Sequence, residues 1–178
     1  IPGTYGRDDK GANAESSCTK CNKGRFSIKV GTFGIGSCEE CPAGYVGNEE
    51  TGSTACNAVP PGFYIINGIS TICKTGHFCL GGAASATTCT PGSYTTNNGS
   101  VSCIPCPPGT FSSTEGNVKC DQCPLGYLQP APRQSSCYKV KPGQVVASGG
   151  SSSVVVPEGS KIDATNPSGF KACVAGTK

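Results

Sequence analysis

The chain has no tryptophan and no methionine, it contains a single histidine, and only 14% of its 178 residues are charged. Its apolar side chains are too sparse and too evenly spread to supply one large core. No stretch approaches the roughly 20 consecutive apolar residues that a membrane-spanning helix requires. The net charge of +3 is small and its carriers are scattered. Clusters of Lys and Arg interleaved with aromatics, which are typical of nucleic-acid-binding proteins, are absent from the sequence.

Cysteine, glycine and proline are abundant instead, with 14, 26 and 14 residues respectively. This composition is typical of disulfide-rich scaffolds, in which small modules need covalent cross-links because they cannot bury enough apolar surface. Disulfides form and persist in oxidising compartments, so we expect a secreted, extracellular or cell-surface protein. The first residue is Ile1 and no signal peptide is visible, as expected of a processed or excised segment.

One short motif, Cys-x-x-Gly-x-aromatic, recurs along the chain, usually with proline directly before the glycine. Two copies have valine in the first position, at Val59 and Val140, and IPGTY at residues 1–5 is a further copy without its first residue. Pro-Gly is typical of the central positions of a type II turn, where glycine adopts a positive φ without strain. We therefore expect the chain to reverse directly after each motif begins. The copies that begin with cysteine start at Cys21, Cys41, Cys73, Cys89, Cys106 and Cys123.

Most aromatic residues lie one or two positions after a motif glycine. We expect each ring to pack on its own disulfide or on its neighbour's, and so to form a miniature core. The alternative is a stripe of rings that binds a ligand. The nine aromatics in these positions are Tyr5, Phe26, Tyr45, Phe63, Tyr64, Phe78, Tyr94, Phe111 and Tyr127.

The spacing of the cysteines predicts a series of disulfide-closed hairpins. A polar, turn-rich stretch follows each motif and ends at another cysteine, so the first cysteine of each Cys-x-x-Cys closes one hairpin and the second opens the next. Closing a loop of about 15 residues contributes roughly 3 kcal/mol in the chain-entropy model. The predicted disulfides are Cys21–Cys38, Cys41–Cys56, Cys106–Cys120 and Cys123–Cys137.

Four further cysteines, Cys73, Cys79, Cys89 and Cys103, form a closed group. They can pair as 73–79 with 89–103, or interlaced as 73–89 with 79–103. The spacing leaves both pairings open.

Two cysteines remain at opposite ends of the sequence. Cys18 has the position of a closing cysteine whose partner would precede Ile1, and Cys173 begins CVAGT, so its partner would follow Lys178. We expect either a window of a longer array or a unit that links covalently head to tail. An intrachain Cys18–Cys173 bond is the alternative.

The two valine copies each lack a disulfide. Val59 and Val140 lie three residues after a closing cysteine, where the next opening cysteine is expected. They predict either flexible joints or apolar contacts with a neighbouring chain.

The expected fold class is small, disulfide-rich and all-β: an elongated tandem array of short cysteine-linked hairpin repeats without a large hydrophobic core. Residues 1–139 hold the tandem cysteine-rich repeats, and residues 140–178 form a valine- and serine-rich β segment. In that segment QVVASGGSSSVVVPEG predicts a short hairpin. Its valine edge could add a strand from another chain, which makes it a possible assembly element.

The main rival interpretation is a zinc site. Cys18-x2-Cys21 followed by Cys38-x2-Cys41 has the spacing of a zinc ribbon. The alternation of opening and closing cysteines also explains Cys56, which zinc leaves unassigned. We therefore expect no bound metal and no cofactor.

Catalytic groups are not apparent, so we do not expect an enzyme. His77 is the one histidine and lies inside a motif copy, CKTGHFC, so we interpret it as incidental rather than as a general base. The acidic pairs at residues 8–9, 39–40 and 49–50 are adjacent in sequence. Neighbouring residues of a strand point to opposite faces, which makes them poor acid–base pairs and favours solvated hairpin tips.

One N-glycosylation sequon, Asn98-Gly99-Ser100, lies on a predicted hairpin tip. The Ser- and Thr-rich loops leave room for O-linked glycans as well.

The segment CIPCPPGTFSSTEGNVKCDQCPLGY, residues 103–127, resembles the cysteine-rich repeats of ephrin receptor ectodomains and, more loosely, tumour-necrosis-factor-receptor-like repeats. The likeness covers roughly residues 1–140, with Val59 and Val140 departing from the pattern. It implies extended rods of stacked small modules, which occur in receptors, matrix proteins and surface proteins.

We accordingly expect a structural subunit or segment of an extracellular filament, coat or surface appendage. It would associate with copies of itself or with neighbouring repeats of a longer chain, carry glycans, and neither bind nucleic acid nor insert into a membrane through this segment. The alternative is the stalk or ligand-binding region of a cell-surface receptor or adhesion protein.

Overall fold

The computed structural model describes residues 1–6, 18–29, 37–158, 160–162 and 170–172. These residues form twenty short strands, and each strand pairs with its neighbour in sequence to give ten two-stranded sheets. The strands are β1 (Thr4–Gly6), β2 (Cys18–Lys20), β3 (Arg25–Phe26), β4 (Glu39–Glu40), β5 (Tyr45–Gly47), β6 (Cys56–Ala58), β7 (Phe63–Ile66), β8 (Ile69–Ile72), β9 (His77–Phe78), β10 (Thr87–Thr88), β11 (Ser93–Tyr94), β12 (Ile104–Pro105), β13 (Thr110–Phe111), β14 (Asp121–Gln122), β15 (Tyr127–Leu128), β16 (Tyr138–Lys139), β17 (Gln144–Val146), β18 (Ser153–Val155), β19 (Ser160–Ile162) and β20 (Phe170–Ala172).

The fold class expected from the sequence is confirmed: the described chain is a disulfide-rich, all-β series of tandem hairpins. No large hydrophobic core is present among the described residues, and the buried apolar positions are chiefly half-cystines. Besides cysteines, the buried apolar side chains are Val59, Leu128 and Val145.

The described chain divides into two compact units whose boundaries interleave in sequence. The first comprises residues 1–74, 78–87 and 97–102, and the second comprises residues 75–77, 88–96 and 103–178, within the described ranges. The same hairpin geometry is found within each unit.

One backbone hydrogen bond recurs along the chain even where the sequence motif is incomplete. At nine positions of the described chain, the N–H of the motif's first residue donates to the carbonyl of the preceding motif glycine, at 2.8–3.0 Å. Valine copies make this bond as cysteine copies do, so the repeat geometry does not depend on the disulfide. The donor–acceptor pairs are Cys21–Gly3, Cys41–Gly24, Val59–Gly44, Cys73–Gly62, Cys89–Gly76, Cys106–Gly92, Cys123–Gly109, Val140–Gly126 and Val156–Gly143.

Val156 begins a further copy of the repeat that the motif does not predict. VPEGS, residues 156–160, has the Pro-x-Gly outline but neither a cysteine nor an aromatic. Its first residue nevertheless donates to Gly143, and β19 follows directly. The hairpin series therefore continues beyond residue 140 through β17–β18 and β19–β20.

Successive repeats are joined by a further pair of backbone hydrogen bonds. In the first unit, Ser27 N donates to Ser53 O at 3.0 Å and Gly52 N donates to Cys21 O at 2.8 Å. In the second unit the equivalent bonds are Thr95 N to Asn117 O and Gly116 N to Cys89 O, at 3.2 and 2.9 Å. In these hairpins the loop is hydrogen-bonded to the first turn of the repeat before it.

Repeats that are separated by one other repeat contact each other through pairs of glycine residues. A Cβ added at Gly62 would lie 2.5 Å from the carbonyl oxygen of Gly99, in the loop of the next repeat but one. Both glycines have a positive φ, 88° and 73°. Glycine is required here for space as well as for conformation, because real Cβ contacts are not so short. The other pairs of this kind are Gly3–Gly52, Gly24–Gly68, Gly44–Gly82, Gly76–Gly116 and Gly109–Gly149.

The hairpin that follows Val59 compensates for its missing disulfide with a better turn. Its strands β7 and β8 are the longest in the described chain, and Ile66 pairs with Ile69 across the two residues Asn67 and Gly68. Both of these have positive φ, 52° and 72°, which is the type I′ geometry that matches strand twist. Val59 is only 6% exposed, so it packs within its own unit rather than against a neighbouring chain.

Seven of the nine aromatic rings that follow a motif glycine are half-buried and two are exposed, and their packing on disulfides stays a prediction. None of the nine is buried, and Tyr45 and Tyr127 are 44% and 37% exposed. A two-stranded hairpin is too thin to enclose a ring. The buried residue in several copies is instead the one three positions after the motif glycine. Its backbone hydrogen bonds hold it between the adjacent repeats. These residues include Ser27, Cys79, Thr95, Ser112 and Gln129, all at most 3% exposed.

Candidate functional site

Six disulfides join the described hairpins. In five of them, an opening cysteine pairs with the closing cysteine of the same hairpin, 14 to 17 residues away. Four of these five pairs are the ones predicted from the spacing, and the fifth, Cys89–Cys103, belongs to the group of four that the spacing left open. The closed group of four adopts the first of its two possible arrangements, since Cys73 pairs with Cys79 across the motif turn itself. The six pairs are Cys21–Cys38, Cys41–Cys56, Cys73–Cys79, Cys89–Cys103, Cys106–Cys120 and Cys123–Cys137.

Cys18 is a free, half-buried thiol on β2, paired across the hairpin with Gly6. Gly47 and Cys56 are paired in the same way, and Cys56 is a closing cysteine. Cys18 therefore occupies a closing position, as its sequence context indicates. Cys173 lies outside the described residues, so the covalent partners of both cysteines stay a prediction.

Three of the four cysteines of the zinc-ribbon spacing are engaged in disulfides, and the fourth, Cys18, is free. Cys21 is bonded to Cys38, and Cys41 is bonded to Cys56. Their thiolates are not available as zinc ligands. Among the described residues, no group of three or more His, Cys, Asp or Glu side chains could hold a metal ion.

His77 is held within its own turn. Its Nδ1 lies 3.1 Å from the carbonyl oxygen of Thr75, and its backbone carbonyl accepts a hydrogen bond from Thr95 Oγ1 at 3.4 Å. The half-buried ring thus contributes to the turn between Cys73 and Cys79.

The described acidic pairs lie opposite basic residues of their own or the adjacent repeat. Glu39 lies 3.8 Å from Lys29, Glu40 pairs with Arg25, and Glu50 lies 3.3 Å from Lys23. The carboxylates are more than 60% exposed, so each pair contributes little to stability, about 0–1 kcal/mol. The pair at residues 8–9 lies outside the described residues.

The sequon residue Asn98 is exposed in the loop between β11 and β12. The loop backbone is fixed on either side of it. Gly99 N donates to Cys73 O at 2.7 Å, and Ser100 Oγ donates to Asn97 O at 2.8 Å.

The valine edge expected in the C-terminal segment is located on β18. Val154 and Val155 are 45% and 64% exposed, whereas Val145 of the partner strand β17 is 9% exposed. One strand of this hairpin therefore packs inward, and the other presents β-branched side chains to solvent.

The residue three positions after the motif glycine has no marker in the motif itself. In five copies this residue is buried, and both its N–H and its C=O bond to adjacent repeats. The sequence offers only a partial signal for it, since Ser27, Thr95 and Ser112 are small hydroxyl residues whereas Cys79 and Gln129 are not.

No helix among the described residues is long and apolar enough to cross a membrane. The sequence matches no protein-family model, and no curated protein matches it significantly.

Proposed function

We propose that this chain is a structural segment of an extracellular filament, coat or surface appendage, built from cysteine-linked repeats of the ephrin-receptor-like kind. The observation that carries the proposal is the bonding between repeats. Within each unit, a repeat is hydrogen-bonded to the next one and packed by glycine against the next but one.

Such bonding suits a structural protein whose repeats must stay connected along the chain. Each repeat depends on its neighbours for the pairing of its backbone groups, so stability accumulates along the array rather than in one core. Disulfides limit how far the hairpins that contain them can open when the chain is pulled or attacked by proteases. Six disulfides also favour secretion into an oxidising compartment.

Self-association is the partner relation that we propose for this function. Val154 and Val155 supply an exposed β-branched strand of the kind that pairs with another chain.

A receptor or adhesion ectodomain is the second candidate. It is favoured by the exposed rings Tyr45, Tyr127 and Tyr138, because tyrosine is enriched in binding surfaces. In this role the repeats would form a stalk or present a ligand-binding face.

Negative-stain electron microscopy of material isolated from its source without reducing agent separates the two candidates. Ordered polymers containing this chain support the structural role. Isolated monomers that stay monomeric at high concentration contradict it and support the ectodomain.

A further inference from the structure

The contact between repeats that are separated by one other repeat uses three elements, which recur along the described chain. The first is a motif glycine, against which the hairpin loop of the later repeat lies. The second is the residue just before the next opening position, whose side chain packs against a glycine of that loop. The third is the carbonyl of the opening residue itself, which accepts a hydrogen bond from the N–H of the same loop glycine. We call these three elements together a loop-binding turn.

The turn at Gly62 shows the arrangement with a loop bound. A Cβ added at Gly62 would lie 2.5 Å from the carbonyl oxygen of Gly99, and a Cβ added at Gly99 would lie 3.6 Å from the side chain of Ile72. The N–H of Gly99 donates to the carbonyl of Cys73 at 2.7 Å. Two more turns hold a loop in the same way, formed by Gly3, Lys20 and Cys21 around Gly52 and by Gly76, Thr88 and Cys89 around Gly116.

A fourth turn of this kind holds no loop of the described chain. Its motif glycine is Gly143, its opening residue is Val156, and Val155 lies just before the opening position. The N–H of Val156 donates to the carbonyl of Gly143 at 2.8 Å, which brings the three elements together as in the filled turns. A Cβ added at Gly143 would have nothing within 4 Å, and the carbonyl of Val156 accepts no hydrogen bond from any residue that the structure describes.

The turn at Gly143 is also more exposed than the filled turns. Gly143 is exposed, whereas the motif glycine of each filled turn is buried. Val155 is 64% exposed, against 44% for Ile72 in the turn at Gly62. The loops that cover the filled turns share a glycine with a positive φ of 70–75°. The ligand that fits the turn at Gly143 is therefore another hairpin loop of this chemistry.

We propose that the turn at Gly143 binds a hairpin loop of a second copy of the chain, so that the series of repeats continues from one molecule into the next. The chain's own contacts select this partner, because three of its turns bind such loops through the same three elements. Within one copy, each loop binds the turn two repeats earlier. The segment that joins β1 to β2, which contains Gly11, has no such turn within these 178 residues and is left to bind another molecule. The inference rests on the proposed self-association and specifies its site.

Strand addition at β18 is the other way in which Val155 could join two copies. The two modes respond differently to a lysine at position 155. Lys20 has the equivalent position in the turn at Gly3, and its Cβ, Cγ and Cδ would lie 3.3–3.5 Å from a Cβ added at Gly52. Lysine is thus compatible with loop binding, whereas a lysine on an edge strand opposes pairing with another strand.

The test is sedimentation velocity of the full chain over a range of concentrations, which measures self-association. Gly143→Asn places a side chain in the turn while keeping its φ of 80°, because asparagine adopts positive φ more readily than most residues. Gly149→Asn is the matched control: Gly149 belongs to the same hairpin, has a φ of 91°, and would also have nothing within 4 Å of an added Cβ. Val155→Lys separates loop binding from strand addition. Far-UV circular dichroism and non-reducing peptide maps verify that each variant folds with its disulfides.

We expect Gly143→Asn to weaken self-association about tenfold or more, because the added side chain overlaps the bound loop as a Cβ would in the filled turns. Gly149→Asn and Val155→Lys should each change the association constant less than about threefold, since neither blocks the turn.

Four results would overturn the inference. Association that is equal in the wild type and in Gly143→Asn would refute the loop-binding turn and leave the structural role standing. A loss with Val155→Lys but not with Gly143→Asn would assign the contact to strand addition. Equal losses in the Gly143 and Gly149 variants would also contradict it, because Gly149 lies outside the turn. A wild-type chain that stays monomeric at high concentration would contradict both this site and the proposed self-association.

Discussion

Replacing one motif glycine by alanine tests the contact between repeats two apart. Gly109 and Gly126 belong to consecutive repeats, and their φ values are 83° and 80°. A Cβ at Gly109 would overlap the carbonyl oxygen of Gly149, whereas a Cβ at Gly126 would have nothing within 4 Å. The two substitutions therefore share the conformational cost and differ only in the close contact.

The structure gives a magnitude for each change. Alanine at a positive φ lowers the free energy of unfolding by about 1 kcal/mol in either variant. This figure includes the opposing stabilisation that alanine gives by making the unfolded chain less flexible than glycine does. The overlap at Gly109 should cost about 2 kcal/mol more, as overpacking does elsewhere. Relieving the overlap also displaces Gly109 N, which donates to Gln129 O at 2.6 Å.

Hydrogen–deuterium exchange measures the stability of each repeat separately. A single global free energy of unfolding is not well defined for a repeat array, because the repeats need not unfold together. We expect Gly109→Ala to speed exchange of the Gln129 and Cys123 amides about 30-fold more than Gly126→Ala does, the equivalent of about 2 kcal/mol. Gly143, where an added Cβ would also have nothing within 4 Å, provides a second control. Equal exchange rates in all three alanine variants would refute the reasoning that glycine is needed there for space.

Three further predictions concern single repeats. Val140→Cys combined with Ser153→Cys restores the opening and closing cysteines of the β17–β18 hairpin. We expect non-reducing peptide maps to show a disulfide between them, and hydrogen exchange to show a free energy of local opening that is higher by up to about 3 kcal/mol. Two persistent free thiols would contradict the repeat alignment. Asn67→Ala should destabilise the hairpin of β7 and β8 by about 1 kcal/mol, because alanine is unfavourable at a left-handed turn position. Unchanged hydrogen exchange at the cross-strand pair of Ile66 and Ile69 would show that the turn does not stabilise this hairpin. Asn98→Gln should abolish a glycosidase-sensitive mass increment in protein secreted from eukaryotic cells, and an unchanged increment would place the glycan elsewhere.

The sequence predicted the covalent and local parts of the fold well. Alternation of opening and closing cysteines indicated pairs such as Cys41–Cys56 and Cys123–Cys137, because closing a short hairpin depends mainly on spacing along the chain. Pro-Gly dipeptides located the turns for the same reason. These features are local, so a single sequence is sufficient to find them.

The contacts between repeats were not predictable in the same way. Gly99 and Gly62 meet only after two repeats have stacked, and nothing near either glycine indicates the other. Val156 was missed because the motif was defined by cysteine and an aromatic, whereas its geometry depends on a backbone bond to Gly143. The rings were expected to fold back onto a disulfide because they follow a turn glycine, but a thin hairpin leaves each of the nine at least partly exposed.

The central claim is that the chain is a series of hairpins, most of which carry a disulfide and all of which follow one backbone repeat. Non-reducing peptide mapping of protein isolated from its source tests it most directly. The account predicts the six linked peptide pairs of the structure, including Cys73–Cys79 and Cys89–Cys103. An interlaced Cys73–Cys89 linkage, or free thiols together with stoichiometric zinc at Cys21 and Cys38, would contradict it.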